Sequence, residues 1–415
     1  MYTVYLYDEP IGVIERRGTG IRFTYAQSAL NDDAFPALSL SLPKRPEPYA
    51  DRRAGVYFRN LLPEQAYKRL VAAAAGALVD DTALLGAIGG ECPGAVSIWP
   101  EDQLPPKTPE YQPLSTEDLE RLLSPASPGL GDAVRRGRLS LPGVQPKIAL
   151  MRHDENGPWM LPLHGAITSH IVKQATNEYP NLAENELICT ALARAVGISV
   201  SNWCLVATKQ HAFCVERFDR IATGDSAGPP RRKLHQEDFC QILSVKPEMK
   251  YHAEGGPGVR QCADVIRHHC ALPAVDLPSL VKWVGFNDLI GNADAHAKNL
   301  ALVYTESGLQ LSPYYDLVST EVYPNLVPDL AMKIGRSWDI RNVQKSDWRR
   351  FAEHVGLPWN SVRTLLAEAA DAMATAVGPV MEQQQDLIGR NPMLDEIRHV
   401  VDRHVERMGH ELARR

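Results

Sequence analysis

Much of what would assign this sequence to a class at once is missing from it. Its seven cysteines (Cys92, Cys189, Cys204, Cys214, Cys240, Cys262 and Cys270) are odd in number and form no CxxC pair. In a chain of this length that usage reads as reduced, mostly buried thiols of a cytoplasmic protein. No apolar run approaches the roughly 18 residues that span a bilayer, and the opening "MYTVYLYDEP" has neither a basic leader nor an apolar h-region. We therefore expect a soluble protein with no membrane partner. Positive charge is not in excess: 44 Lys and Arg against 50 Asp and Glu leave a net −6. That argues against a free-standing nucleic-acid binder, although a partner or a local patch can still bring nucleic acid close. There is no GxxxxGK[ST] motif, no internal repeat and no low-complexity tail. What is present is ordinary globular material: 415 residues, 44% hydrophobic and 23% charged, enough for two or three cores.

The chain changes character along its length. "YTVYLYD" and "GIRFTY" are aromatic, β-branched and turn-punctuated, as strands are, and "LSLSLP" (38–43) alternates like an edge strand. "VYFRNLLPEQAYKRLVAAAAG" shifts to helical spacing, and "LLGAIGGECPGAVSIWPED" returns to Gly-punctuated strand character. The Pro-rich "QLPPKTPEYQPLS" places a boundary near residues 103–115. Residues 139–218 read as strands ("KIALM", "WMLPL", "SHIVKQA") with one helix, "AENELICTALARAVG", and then two strands in "SNWCLVATKQHAFCVERFDR". From residue 234 helices dominate, ending in a helix that Asn391 can cap with Pro392 at its first position. A β-rich region thus precedes a helical one.

That order gives meaning to "GNADAHAKNLAL" (291–302). Asp294 and Asn299 stand five apart, the spacing of the Asp and Asn in the catalytic loop of protein kinases. There the Asp orients and deprotonates the acceptor hydroxyl and the Asn holds Mg²⁺. Chance supplies several such spacings in a chain this long, so context decides. Asn299 is followed by "LALVY", a "TESG" turn and "LQLSPYYD", a hairpin that delivers a second acid, Asp316. Upstream, Lys173 lies late in the strand "SHIVKQA", and Glu186 in the next helix could pair with it. Further upstream, "SLPGVQPK" (140–147) reads as a small-residue turn between two strands, where backbone N–H groups could cradle phosphates.

Taken singly, each of these residues has a plainer reading. Asp294, Asn299 and Asp316 suit caps or turns, Lys173 a solvated strand lysine, and Glu186 a first-turn helix acid. It is their order that favours the joint reading. The histidines carry less. His296 could be a metal ligand, but "RHHC" (267–270) sets its residues about 100° apart on a helix, so they cannot face one metal unaided. His404 and His410, six apart, are most simply a solvated face.

Together "SLPGVQPK", "SHIVKQA", "NEL", "VERFDR", "QEDFCQIL", "GNADAHAKN" and "SPYYDLVS" resemble the HipA family of bacterial serine/threonine kinases. These are the toxin halves of type II toxin–antitoxin pairs. "LSLSLP", "FRNLLPE" and "LLGAIGGECPGAVSIWPED" extend the resemblance over the N-terminal part, so that it spans nearly the whole chain. It implies an α+β fold. A small β-rich N-terminal subdomain (1–110) would precede a bilobal kinase-like body with a β-rich N-lobe (111–218) and a mainly α-helical C-lobe (219–415).

It also implies roles. Asp294 would be the catalytic residue, with Asn299 and Asp316 holding Mg²⁺. Pro142, Gly143, Val144, Gln145, Pro146 and Lys147 would form the phosphate loop, and Lys173 would contact ATP phosphates. Glu216, Arg217 and Phe218 would be the hinge that reads adenine. His296, Ala297, Lys298 and Asn299, with Tyr315, Asp316, Leu317 and Val318, would line the nucleotide site, Lys298 near the γ-phosphate. Ser140 would be the autophosphorylated serine. Its phosphate adds roughly −1.5 to −2 charges within a loop built for ATP phosphates, which should eject the loop and silence the enzyme. One feature sits uneasily with a cradle: Pro142 and Pro146 remove two backbone donors.

The resemblance further implies a HipB-type helix-turn-helix antitoxin, operator DNA bound through that antitoxin, and repression of the protein's own operon. It implies a target such as an aminoacyl-tRNA synthetase, whose phosphorylation would inhibit translation and favour persistence. Two other readings remain. One is a small-molecule phosphotransferase, since antibiotic kinases of kinase fold also carry a His two positions after the catalytic Asp. The other is a catalytically silent co-repressor scaffold.

Overall fold

The computed structural model describes residues 1–77, 80–124, 127–154, 157–174, 176–206, 208–222 and 231–413. The fold is α+β, and the chain forms two compact units. One comprises Met1–Asn177 with Trp203–Glu248, the other Glu178–Asn202 with Met249–Arg415.

The first unit holds a four-stranded antiparallel sheet in the order Gly20–Tyr25, Glu9–Arg17, Tyr2–Leu6, Val96–Pro100. In Gly20–Tyr25 every second residue (Ile21, Phe23, Tyr25) is buried, the period-two pattern of a half-covered strand. Phe23 meets Tyr25 edge-on at 4.7 Å and Phe58 at 5.8 Å, closing the core over this face. A second antiparallel sheet runs in the order Lys147–Leu150, His170–Lys173, Ala212–Glu216, Trp203–Val206. Both sheets contribute to one apolar core, through residues such as Val4, Phe23, Ile148 and Val172.

Three expectations change here. "LSLSLP" is not a strand but a tight turn with a single bridge between Ser39 and Leu42. The Ser39 and Ser41 hydroxyls lie 2.8 Å apart and Ser41 N donates to Ser39 Oγ, so local bonds replace a ladder. "LLGAI" lies in the helix Asp81–Ile88, which Asp80 caps by accepting from Thr82 N. That run is almost wholly buried, and a fully buried run shows no period by which helix and strand can be told apart. Finally, "SLPGVQPK" connects the helix Pro128–Gly137 to the strand Lys147–Leu150, rather than two strands.

The second unit is helical apart from the hairpins Ala301–Thr305/Gly308–Leu311 and Asp329–Ile334/Ser337–Asp339. The long helix Trp359–Ile388 packs on Leu182–Ala195, Pro273–Leu289 and Pro392–Ala413. Pro273 opens its helix at the first position, where a missing N–H costs nothing. Asn391 caps the last helix as expected, accepting from Met393 N at 3.0 Å. All seven cysteines are free; six are buried and Cys204 is half-buried. Burial pushes the Cys92 thiol up to about 12. No helix among the described residues is long and apolar enough to cross a membrane.

Candidate active site

In the second unit the chain leaves the Pro273–Leu289 helix through Gly291, at φ +65°. A Cβ there would come within 2.7 Å of Val400 Cγ1, so glycine is required on both counts. The polar residues that follow bond to one another. Asn287 Nδ2 donates to Trp283 O (2.8 Å), Asn292 Nδ2 to Asn287 Oδ1 (2.7 Å), and Asp294 N to Asn292 Oδ1 (3.1 Å). Ala293 N donates to Thr320 Oγ1 (2.8 Å), while Ala293 O accepts from Ala331 N (2.7 Å). The main chain at Asp294 is thus fixed while the residue itself stands exposed. A group that must take a proton from an incoming hydroxyl needs both properties.

His296, Ala297, Lys298 and Asn299 are all buried, the last three in a single 3₁₀ turn. Two buried atoms there, Asn299 Oδ1 and His296 Nδ1, have no hydrogen-bond partner. Such orphaned groups are rare and call for a reason. A carboxamide oxygen taken together with a carboxylate such as that of Asp316 would be the hard oxygen set that suits Mg²⁺, which keeps most of its water and takes few protein ligands. Among the described residues there is no group of three or more His, Cys, Asp or Glu able to hold a metal. Burial, reinforced by Lys250 and Lys298 against the pull of Asp316, holds the His296 imidazole well below its usual range. The ring is therefore neutral at physiological pH, and it meets Tyr251 edge-on at 5.7 Å.

The hairpin that follows delivers Asp316 in the left-handed region, at φ +57°. A residue with a side chain is uncommon there. Bonds on either side hold it. Tyr315 OH donates to Lys298 O (2.7 Å), Ser319 N donates to Asn185 Oδ1 (2.8 Å), and Asn185 Nδ2 donates back to Ser319 O (2.9 Å). Thr320 N and Glu321 N both donate to Gly291 O, closing the segment on the loop that carries Asp294. Leu317 is a core side chain, so any ligand contact falls to its main chain. Glu186 is buried on the Leu182–Ala195 helix, next to Asn185.

The last helix backs this loop. His404 is buried, not solvated as expected, because its partner Glu321 lies 83 residues away: His404 Nε2 and Glu321 Oε2 are 2.7 Å apart. Arg403 bonds the other Glu321 oxygen (2.6 Å), and Arg407 bonds Asp288 and the Ile340 carbonyl. His410 is exposed, as expected. Burial raises the Glu321 pKa, but His404 and Arg403 outweigh it, leaving the carboxyl below its ordinary value. Its contribution to stability is therefore complete above the unfolded value of about 4.3 and is lost as pH falls through the lower folded value. We expect Glu321→Gln to melt below wild type at pH 7, with the two melting temperatures converging as pH falls below the ordinary carboxylate range. A gap that persists unchanged in acid would remove the carboxylate from this account.

In the first unit, Lys147 and Lys173 are directly opposed on antiparallel strands, and both are nearly buried. Like charges placed directly opposite disfavour a sheet unless they are compensated. Lys147 Nζ donates to Pro142 O (3.0 Å), and Gly143 at φ +109° leaves no room for a Cβ, which would lie 2.6 Å from that ammonium. The two prolines take part through their carbonyls, Pro142 O as above and Pro146 O accepting from Gln174 N (2.9 Å). Gln145 Nε2 donates to Gln174 O, and Val144 is exposed. Ser140 is fully buried, its hydroxyl donating to Leu61 O (2.7 Å) and its N–H to Glu91 O (2.9 Å).

Glu216 ends its strand, and Phe218 follows in a buried stretch. Between them Arg217 is fixed by Asp219 (both oxygens at 2.9 Å), Thr168 and the Cys92 carbonyl, and its main chain is bonded too, its N–H donating to Ser169 O (2.9 Å) and its carbonyl accepting from Arg220 N (3.3 Å). The structure thus gathers Asp294, His296–Asn299, Tyr315–Val318 and Glu186 in the second unit. The phosphate loop, Ser140, Lys173 and Glu216–Phe218 belong to the first. Sequence spacing gave no hint of Lys250, which is buried with its ammonium 5.4 Å from the Tyr251 ring centre, nor of Asn185.

Two family models match the chain, "HipA N-terminal domain" over residues 2–99 and "HipA-like C-terminal domain" over 139–377. The serine/threonine-protein kinase toxin HipA of Shewanella oneidensis is 32% identical over 341 residues, covering 79% of this chain and 77% of that one. Y4mE of Sinorhizobium fredii, a kinase by name, is 38% identical over 377 residues, 88% of each chain. In a solved complex of Shewanella oneidensis MR-1 HipA with HipB and operator DNA, the matching chain gives a TM-score of 0.82 at 26% identity, covering 99% of this chain and 97% of that one.

Proposed function

This chain belongs to the HipA family of kinases, and from that premise we propose that it is a serine/threonine protein kinase using ATP and Mg²⁺, the toxin of a toxin–antitoxin pair. The observation that carries the reading is the pairing of an exposed Asp294 on a fixed main chain with a buried, unpartnered Asn299 Oδ1 five residues on. The Asp294 carboxylate orients the acceptor hydroxyl and takes its proton. Asn299 Oδ1 and the Asp316 carboxylate hold the divalent cation. Lys147, Lys173 and the Pro142–Lys147 loop would bind and orient phosphate oxygens, and the Glu216–Phe218 stretch would hold the base. His296, neutral and buried, stands beside Lys298 in the second unit. When bound, Mg·ATP supplies the phosphoryl group and the metal neutralises charge on its oxygens. The rest of the catalysis is positioning and electrostatics.

Ser140 is the proposed site of self-modification. Its burial means that the loop must leave before the hydroxyl can react, and a phosphate of roughly −1.5 to −2 charges cannot return to a site facing the Leu61 carbonyl. We expect purified protein with Mg²⁺ and γ-labelled ATP to acquire label at Ser140, read by phosphopeptide mapping, and the phosphorylated form to lose ATP binding. Label acquired elsewhere but not at Ser140 would refute this assignment.

For the cellular role, the Shewanella oneidensis complex of HipA, HipB and operator DNA supports a HipB-like antitoxin and operator DNA as partners; DNA contact through the antitoxin and repression of the operon are part of the proposal. The target class is a translation component such as an aminoacyl-tRNA synthetase. Phosphoproteomics after induced expression tests both parts of this reading at once. Growth arrest with a new phosphoserine or phosphothreonine on such a protein, relieved by the antitoxin, is the expected result. Arrest without any new phosphoprotein would favour the scaffold reading.

A further inference from the structure

We propose that Asn185 is a positioning residue for phosphotransfer: its carboxamide, clamped on Ser319, holds Asp316 in the conformation that places its carboxylate for the cation. The inference rests on the assignment of Asn299 and Asp316 as cation ligands made above.

The geometry begins with Asp316. Its left-handed backbone, at φ +57°, is one that a non-glycine residue holds only where its surroundings leave no alternative. Those surroundings are specific. On one side Tyr315 OH is bonded to the carbonyl of Lys298, next to Asn299. On the other, three residues beyond Asp316, both main-chain groups of Ser319 are bonded to one side chain, that of Asn185. Ser319 and Asn185 are both fully buried, so water does not compete for these bonds.

The residue type matters as much as the place. The N–H and C=O of Ser319 ask for an acceptor and a donor together. A carboxamide offers both in one plane; a carboxylate can only accept, and an apolar side chain offers neither. Asn185 is oriented in turn by its own neighbours, with Cys189 Sγ 3.4 Å from its Oδ1 and Tyr323 OH 3.4 Å from its Nδ2. It stands on the Leu182–Ala195 helix one position before Glu186. The helix that carries the acid is thereby joined to the segment that carries Asp316. Groups that orient metal ligands from behind are worth about 10–100-fold in metal affinity.

The test titrates Mn²⁺, followed by electron paramagnetic resonance, into wild type, Asn185→Ala and Asn185→Asp, and measures phosphotransfer over a range of Mg²⁺. Asn185→Asp is isosteric and removes the Nδ2 donor that serves Ser319 O and Tyr323 OH; because it also buries a carboxyl, near-UV circular dichroism and melting are recorded for both variants. We expect the Mn²⁺ Kd and the Mg²⁺ concentration for half-maximal rate to rise by about tenfold or more, with most of the rate recovered at saturating metal. A lower melting temperature with unchanged Mn²⁺ affinity would make Asn185 merely structural and overturn the proposal. Loss of rate that saturating metal does not restore would overturn it too, since the clamp would then act on Asp294. If instead Asp316→Ala leaves Mn²⁺ binding intact, the underlying ligand assignment fails, independently of what Asn185 does.

Discussion

Replacing Asp294 by asparagine is expected to cut phosphotransfer by about 10²–10⁴-fold, the usual contribution of a positioned general base, without unfolding the protein. The structure separates the two effects. The loop is held at this point by bonds that include main-chain ones: Asp294 N to Asn292 Oδ1, and Ala293 N and O to Thr320 Oγ1 and Ala331 N. The exposed side chain can therefore exchange a carboxylate for an isosteric amide while the loop stays in place. An amide cannot take the hydroxyl proton. Initial rates of transfer from labelled ATP, with melting curves alongside, are the measurement. A variant that melts like wild type and labels at an undiminished rate would remove Asp294 from catalysis. A small-molecule phosphotransferase would show the same loss on its own acceptor, so the acceptor used in the assay separates that reading from a protein kinase.

The second large effect is on stability and lies far from the proposed chemistry. Glu91 is completely buried and accepts from Arg220 Nε (3.0 Å) and from Thr168 N and Oγ1, with Arg217 at 3.5 Å and Lys233 at 3.8 Å. Burial alone would raise its pKa, but Arg220, Arg217 and Lys233 outweigh that and hold the carboxyl ionised. Asp219 answers the same two arginines from the other side and also accepts from Gly94 N (2.7 Å). Glu91→Ala would leave Arg217 and Arg220 with Asp219 as their carboxylate among the described residues, in a dry interior, while Lys233 keeps Asp8 at 3.3 Å. Breaking a buried ion pair from one side costs about 3–5 kcal/mol. For a unit of this size that corresponds to roughly 6–20 °C in melting temperature. Thermal unfolding followed by circular dichroism would show it, and a fall of only a degree or two would mean that water enters the cluster. Glu91→Gln, which keeps the shape and one acceptor, should fall between the two.

These cases show which parts of the molecule could be read in advance. The loop around Asp294, the hairpin to Asp316 and the strand bearing Lys173 announce themselves through local signals: turn residues, alternation and order along the chain. The α+β character followed from the same signals. Where neighbours in space are remote in sequence, no such signal exists. Glu91 and Arg217 are 126 positions apart, and Asn185 and Ser319 are 134 apart. His404 looked like a solvated histidine because nothing near it in the chain names Glu321 as its partner. The helix at "LLGAI" went unread for a different reason: burial on all sides removes the polar beat by which a helix is recognised. The turn at "LSLSLP" failed through imitation, since its serines alternate as a strand would and then bond to each other.

The ion pair between Arg407 and Asp288 also sets a schedule. The two residues are 119 positions apart, and Asp288 is buried directly before the turn that leads to Asp294. At about 5–20 residues per second, a ribosome takes roughly 6–24 s to travel from one to the other. For that interval the nascent chain carries a carboxylate whose buried place has no counter-charge. The loop that leads to Asp294 therefore gains this one bond only once the last helix has been made.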